Sequence, residues 1–378
     1  MMDHCRDMAM VKLYPETCQV KCDEAFEVPE FTPPYPARVH PLAEKACKDA
    51  NTWLLDHAVQ TMFTPEKLAR FSYCPMLAAL AYPDATGKGL SLASKIMVLI
   101  WTMDDTFDDF KITEMEENWK KSISLVIDVH LMMKSSFPDS SLLSHQLVEL
   151  LEKLPSDNRR VFLNFMEERI LQHATMSTVE LSPIALAYRD HWTELTSLTR
   201  GQSSLRAAYQ FQEFLLSSLS EMHNRQANVL PSMEEYITLR RQTGAVLYFL
   251  VLIDIIEGET LDEEIWCSPE MQRLVNATND FAILHNDIWS YKKECLEFGN
   301  SQNIVFLVSH YNQCSPKEAA LTVTKMLYGK CEEVDLAAKE LLKITEPKHR
   351  HVVNLYIRTC KDLISGTHEF HKNSIRYK

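Results

Sequence analysis

The segment Asp104-Asp105-Thr106-Phe107-Asp108-Asp109 places four carboxylates within six residues, directly behind the apolar run from Leu92 to Met103. A helix ending there is electrostatically unfavourable. Its last carbonyls already carry partial negative charge, and the i,i+4 pairs Asp104/Asp108 and Asp105/Asp109 repel by roughly 0.2–0.5 kcal/mol each even when exposed. Two readings resolve the conflict: a solvated acidic helix end, or a site for a hard cation. Carboxylate oxygens suit Mg²⁺, which takes one or two protein carboxylates and shares substrate phosphates. Helix geometry puts Asp104 and Asp108 on one face, with Asp105 and Asp109 about 100° round. Asp104 is therefore the expected principal metal ligand, Asp108 its support, Asp105 a neighbouring acid, and Asp109 the one left to solvent.

A second set follows far downstream. In Asn286-Asp287-Ile288-Trp289-Ser290-Tyr291-Lys292-Lys293-Glu294 the residues Asn286, Ser290 and Glu294 stand at i, i+4 and i+8. On one helix face they offer an amide oxygen, a hydroxyl and a carboxylate, all hard donors of the kind Mg²⁺ uses, with Lys293 beside them. The bland alternative is an amphipathic helix surfacing at its end. Two such helix ends in one chain strengthen the metal reading.

The elements that must position these residues are helical. Only 8 of 378 residues are Gly, well under the usual ~7%, and apolar residues recur at helical period from Pro41 onward. Breakers at Thr64-Pro65, Pro83-Asp84, Phe137-Pro138, Pro155-Ser156, Ser182-Pro183 and Pro231-Ser232 divide the chain into a series of helices. No alternating strand pattern and no solenoid repeat interrupts them, so the fold class is all-α. Ser315-Pro316-Lys317-Glu318 predicts a capping box opening a helix to Tyr328. Ser232 predicts the start of another, running through Arg240 towards Ile256 as a central, largely buried element. Residues 1–35, with the Pro-rich stretch Val28 to Pro36, form a tail or strap; residues 36–378 form one domain.

A net charge of −13 and a pI near 5.6 argue against a nucleic-acid partner. The ten cysteines lack paired CxxC spacing, Cys5, Cys18 and Cys22 included, and read as reduced thiols. The first twenty residues have no apolar signal core, and the longest apolar run, Ala245 to Ile253, is far short of the ~20 residues of a membrane span. A soluble cytoplasmic protein is expected, with a homodimer admitted as an assembly state.

The acidic cluster together with Asn-Asp-x-x-Ser-x-x-Lys-Glu resembles the metal-binding pair of the class I terpene cyclases, the small single-domain type of bacteria, fungi and corals. Ala81-Tyr82-Pro83-Asp84-Ala85, Glu221 with Arg225, Pro231 leading to Tyr236, and Asn303-Ile304-Val305 stand where that family carries related fragments. The resemblance implies a helical bundle around a central active-site cavity, binding a prenyl diphosphate and three Mg²⁺ through Asp104, Asp105, Asp108, Asn286, Ser290 and Glu294. It assigns Arg240 as diphosphate sensor, able to meet Asp105 on closure, Thr243 as linker, and Gly244 as the helix-break effector whose bare backbone approaches the substrate. Lys293, Arg376 and Tyr377 would complete the diphosphate site. Among the wall residues Met97, Ile100, Trp101 and Phe107, Trp101 is the favoured aromatic, together with Phe370 where bacterial relatives often carry Trp. The implied activity is ionisation and cyclisation of a linear prenyl diphosphate, with geranylgeranyl diphosphate to a diterpene as the leading expectation and farnesyl diphosphate to a sesquiterpene as the alternative. A chain-elongating prenyl diphosphate synthase is disfavoured because Phe110-Lys111-Ile112 follows the cluster in place of Arg-Arg-Gly, and no second Asp-rich motif appears. A non-catalytic helical interaction protein remains the alternative from a different class.

Overall fold

The computed structural model describes residues 25–108, 115–137, 145, 148, 152, 156–175, 180–199, 201–227 and 229–377. Cys5, Cys18, Cys22 and Asp109 lie outside the described residues, as does the side chain of Asp108. The helices run α1 (Ala43–Asp56), α2 (Pro65–Phe71), α3 (Pro75–Ala81), α4 (Gly87–Asp108), α5 (Met115–Ser136), α6 (Ser156–Thr175), α7 (Pro183–Leu198) and α8 (Gln202–Gln226). They continue as α9 (Met233–Thr243), α10 (Val246–Val251), α11 (Ile253–Glu257), α12 (Glu263–Trp266), α13 (Pro269–Tyr291), α14 (Ile304–Asn312), α15 (Pro316–Ile344) and α16 (Arg350–Asn373). No strand occurs among the described residues.

Local chemistry explains most of the boundaries. Thr64, Ser182 and Ser268 each accept a hydrogen bond from a first-turn amide ahead of Pro at the start of α2, α7 and α13, which satisfies a donor the helix cannot use internally. Ser232/Glu235 and Ser315/Glu318 form reciprocal capping boxes on α9 and α15. The latter helix outruns the expected end at Tyr328, because Leu327, Cys331, Val334, Ala338 and Leu341 continue its buried stripe past Gly329.

The expected continuous helix from Ser232 to Ile256 is instead broken into α9, α10 and α11. The left-handed residue at the break is Ala245, with φ 56°, while Gly244 keeps φ −70°. Gly244 is required for space rather than rotation. A Cβ there would lie 2.5 Å from Ile283 Cγ2 and 3.1 Å from the Arg240 carbonyl oxygen.

Two long helices bear the acidic and the Asn/Ser/Glu sets, and both are buried around most of their circumference. Helix α4 packs on α1, α3 and α7, and α13 on α15 and α16. Between them opens a cavity of about 220 Å³. Residues 25–38 lie back across the bundle: Phe26 meets the Tyr291 ring at 5.0 Å, Phe31 the Tyr328 ring at 4.7 Å, and the Tyr35 hydroxyl donates to the Cys331 carbonyl at 3.0 Å. Arg38 fixes this segment by pairing with both Asp84 and Asp362. No described helix is long and apolar enough to cross a membrane.

The height of α4 in the bundle depends on one contact. A Cβ at Gly89 would fall 1.8 Å from the Ile256 carbonyl oxygen, which is backbone and cannot swing aside. Gly89→Ala is expected to destabilise the protein by roughly 1–3 kcal/mol or more, read as a lower denaturation midpoint in urea. An unchanged midpoint would show that α4 and α11 are not locked at this crossing.

Candidate functional site

The cavity is polar at its mouth and apolar below. Asp104, Arg240, Asn286, Ser290, Glu294 and Arg376 line the first part, and Met97, Ile100, Trp101, Phe214, Phe249 and Ile283 line the second. Such a layout holds a charged head and a hydrocarbon tail in one pocket.

The two described acids of the cluster, Asp104 and Asp105, do not form a solvated helix end. Asp105 has no exposed side-chain surface, while Asp104 keeps 29% and faces the cavity. Arg376 NH2 lies 2.6 Å from Asp105 Oδ1 and 3.2 Å from Asp104 Oδ2, and Lys293 Nζ lies 3.6 Å from Asp105 Oδ1. Burial alone would raise the Asp105 carboxyl, but Arg376 and then Lys293 outweigh it and hold it at about 2. The Arg376 guanidinium also sits 4.5 Å over the Trp101 ring, a cation–π contact that strengthens when desolvated. At the helix end, Arg225 NH2 donates to the Phe107 carbonyl at 2.8 Å, placing a cation where the dipole favours one.

The second set sits at the end of α13. Asn286 Oδ1 accepts from Arg240 NH2 at 2.8 Å, and its Nδ2 donates to the Tyr377 hydroxyl at 2.8 Å. Four residues exceed one 3.6-residue turn, so a row at i, i+4, i+8 slips round the helix by ~40° per step. After Tyr291 the chain winds as a π-helical turn over Lys292–Glu297. That wider turn advances less per residue, which limits the slip at Glu294. Asn303 then fixes Glu294 by donating to its Oε2 at 2.9 Å.

Beneath this row lies Asp287, with 1% of its side chain exposed. Its carboxylate accepts from the Tyr236 hydroxyl at 2.5 Å, the Ile304 amide at 2.9 Å and Arg240 Nε at 3.2 Å. Burial pushes this carboxyl above the usual range, with Arg240 and the Tyr236 hydroxyl pulling against it. The sequence places Asp287 inside the motif and Tyr236 in a flanking fragment, and nothing in their spacing pairs them. Only the fold brings them together.

Several expectations change. In this structure Asp105 meets Arg376 and Lys293 while Asp287 and Asn286 hold Arg240; the expected meeting of Asp105 with Arg240 belongs to closure on substrate. The linker position Thr243 does not hold Arg240; its buried Oγ1 has no hydrogen-bond partner among the described residues. Phe370 is fully buried and does not line the cavity: it stacks behind Trp101 at 6.0 Å and on Tyr73 at 5.7 Å. Phe107 likewise turns into the core against Phe214. Met97, Ile100 and Trp101 reach the cavity wall, with Phe214 and Phe249 as aromatic faces that the motif spacing could not find.

The donor chemistry fits a hard divalent cation. Ser290 Oγ and Asp105 Oδ2 are buried without a hydrogen-bond partner among the described residues, and such orphaned oxygens are costly unless something binds them. No cluster of three His, Cys, Asp or Glu side chains forms among the described residues; the oxygens come instead from Asp104 on one helix and from an Asn, a Ser and a Glu on the other. The cations Arg240, Lys293 and Arg376 surround the same mouth and suit a multiply charged anion.

Comparison with known proteins gives the family and the fold. Residues 95–333 match the family model described as terpene synthase family 2, C-terminal metal binding. The chain is 25% identical over 388 residues to the alpha-gurjunene synthase of Marchantia polymorpha, covering 97% of this chain and 89% of the relative. It is 25% identical over 360 residues to the 4-epi-cubebol synthase of Streptosporangium roseum, named as cyclising (2E,6E)-farnesyl diphosphate, with 94% of each chain covered. The solved structure of hedycaryol synthase in complex with HEPES matches with a TM-score of 0.67 at 19% identity, covering 93% of this chain and 100% of that one, a likeness of fold.

Two measurements probe the site's electrostatics. Asp287→Ala removes the carboxylate that pairs directly with the buried Arg240 and is expected to cost about 3–5 kcal/mol of stability, read by chemical denaturation; a loss under 1 kcal/mol would mean the pair is not structurally important. Because Asp105 titrates near 2 in the fold and near ~3.9 when unfolded, its stabilisation is complete above the latter value and is lost as pH falls towards the former. Asp105→Asn should flatten the fall in stability over that acid window, and an unaltered slope would refute the Arg376 pairing.

Proposed function

The chain belongs to terpene synthase family 2, and on that premise we propose that it is a sesquiterpene cyclase acting on farnesyl diphosphate with three Mg²⁺ ions. Terpene synthases are lyases of prenyl diphosphates that use divalent metal, which sets aside the interaction-protein and chain-elongation alternatives. The observation that carries the reading is the opposition of Asp104, on α4, and the Asn286/Ser290/Glu294 row, on α13, across the mouth of one apolar cavity. The expectation of geranylgeranyl diphosphate gives way to the shorter chain for two reasons. The name of the Streptosporangium relative specifies farnesyl diphosphate, and a cavity of about 220 Å³ falls below the usual range for ligand pockets.

Metal held by Asp104, Asn286, Ser290 and Glu294 would neutralise the diphosphate as it leaves. Arg240, Lys293 and Arg376 donate to its oxygens, and the charge they supply is concentrated by a site that excludes water. The C–O bond breaks with its electron pair going to the diphosphate, leaving an allylic cation on the hydrocarbon. Met97, Ile100 and Ile283 then hold the chain folded and dry, while Trp101, Phe214 and Phe249 offer ring faces to the migrating charge. No protein nucleophile takes part.

Purified protein incubated with farnesyl or geranylgeranyl diphosphate in separate tubes, followed by gas chromatography, should give cyclic hydrocarbon or alcohol mainly from the former. Faster turnover of the C20 substrate would overturn the assignment. Asp104→Ala and Asn286→Ala should each abolish product while the helical circular dichroism signal stays intact, and turnover retained in either would remove that residue from the metal site.

A further inference from the structure

Behind Asn286 lies a row of histidines to which the reading above assigns no role. His371 Nε2 stands 3.4 Å from Asn286 Nδ2, His371 Nδ1 lies 2.6 Å from His285 Nδ1, and His285 Nε2 lies 3.2 Å from His368 Nδ1. The His285 and His371 rings are nearly coplanar, 10° apart, and both residues are only 2% exposed. Phe31 from the N-terminal segment closes the row from behind, with ring contacts to His285 at 6.1 Å and His368 at 5.8 Å.

Arg240 NH2 can only donate to Asn286 Oδ1, so Asn286 Nδ2 is the atom that faces His371 Nε2, which must accept. A neutral imidazole has one donor and one acceptor nitrogen, so the facing nitrogens must alternate. One arrangement connects every member. Asn286 Nδ2 donates to His371 Nε2, His371 Nδ1 donates to His285 Nδ1, and His285 Nε2 donates to His368 Nδ1. Reversing it would leave Asn286 Nδ2, which is only a donor, facing a second donor.

We propose that His371 is a positioning residue that fixes the Asn286 amide with its nitrogen turned inward, so that its carbonyl oxygen faces the metal. This rests on the metal role assigned to Asn286. In the structure Arg240 also enforces that orientation, since its NH2 can only donate to Asn286 Oδ1. A diphosphate that draws Arg240 to itself removes that constraint. The Tyr377 hydroxyl cannot replace it, because a hydroxyl donates or accepts and tolerates either amide orientation. His371 remains the group that distinguishes the two, and His285 does so through it by holding the required tautomer, as groups hydrogen-bonded to metal ligands commonly do.

The test reads metal binding rather than turnover: the Mg²⁺ concentration giving half of the melting-temperature rise in the presence of inorganic diphosphate. His371→Leu, which removes the acceptor, should raise that concentration about 10- to 100-fold. His371→Gln, which can still accept from the Asn286 nitrogen but tolerates either amide orientation, should raise it by less than His371→Leu does. In an Asn286→Asp background, where both ligand oxygens are equivalent, His371→Leu should cost much less, giving a non-additive double-mutant cycle. No effect of His371→Leu, equal loss in the Leu and Gln variants, or equal loss in both backgrounds would overturn the proposal. A wild-type protein that does not respond to Mg²⁺ and diphosphate would overturn the metal assignment of Asn286 and this role with it. Circular dichroism confirms folding of each variant, and if Asn286→Asp itself does not respond, the Leu and Gln variants decide.

Discussion

The pairing of Arg376 with Asp104 and Asp105 is the interaction on which the site depends. Adjacent carboxylates at the negative end of a buried helix repel one another and the helix carbonyls. A fold with a dry core tolerates them only when a counter-charge is built in. Arg376 supplies it from the last residues of the described chain, with its guanidinium 4.5 Å from the centre of the Trp101 ring. One acid becomes a buried counterion and the other is left facing the cavity. The neighbouring residue, Tyr377, reaches Asn286, so the C-terminal turn touches both the acidic set and the Asn/Ser/Glu set at once.

A second arrangement of the same kind holds the opposite side. Asp287 lies within the motif but turns inward, where it accepts from Tyr236, Arg240 and the Ile304 amide. A buried ion pair adds little net stability by itself. What it does here is fix directions: Arg240 is aimed at the mouth, α14 is tied to α13, and Asn303 is brought to Glu294. Cavity-facing groups therefore rest on a layer of buried partners, and the orphaned Ser290 Oγ is the cavity-lining oxygen that this layer leaves open for a ligand.

The bundle keeps these two sides in register by close backbone packing. Gly89 lets α4 touch the Ile256 carbonyl, and Gly244 lets the α9–α10 break sit against Ile283. Both contacts are too short for a methyl group. The N-terminal segment adds a brace from outside, with Phe26 on Tyr291 and Phe31 on the histidines behind Asn286.

Much of this was legible in the sequence, because it depends on periodicity and on residue type at fixed spacing. The all-α class, the capping box at Ser315, the helix start at Ser232 and the buried helix leading into Asp104 all follow from local rules that tertiary packing left intact. Relations between distant residues were not legible. That Arg376 meets Asp105, that Asp287 and Tyr236 hold Arg240, and that Phe370 lies behind Trp101 while Phe214 and Phe249 reach the cavity are all decided by how helices far apart in the chain cross. The break at Gly244-Ala245 and the π turn after Tyr291 belong with these. Periodicity specifies which face of a helix is apolar, whereas the partner that face meets, and the turn at which the helix must deform to meet it, are set by close packing in three dimensions.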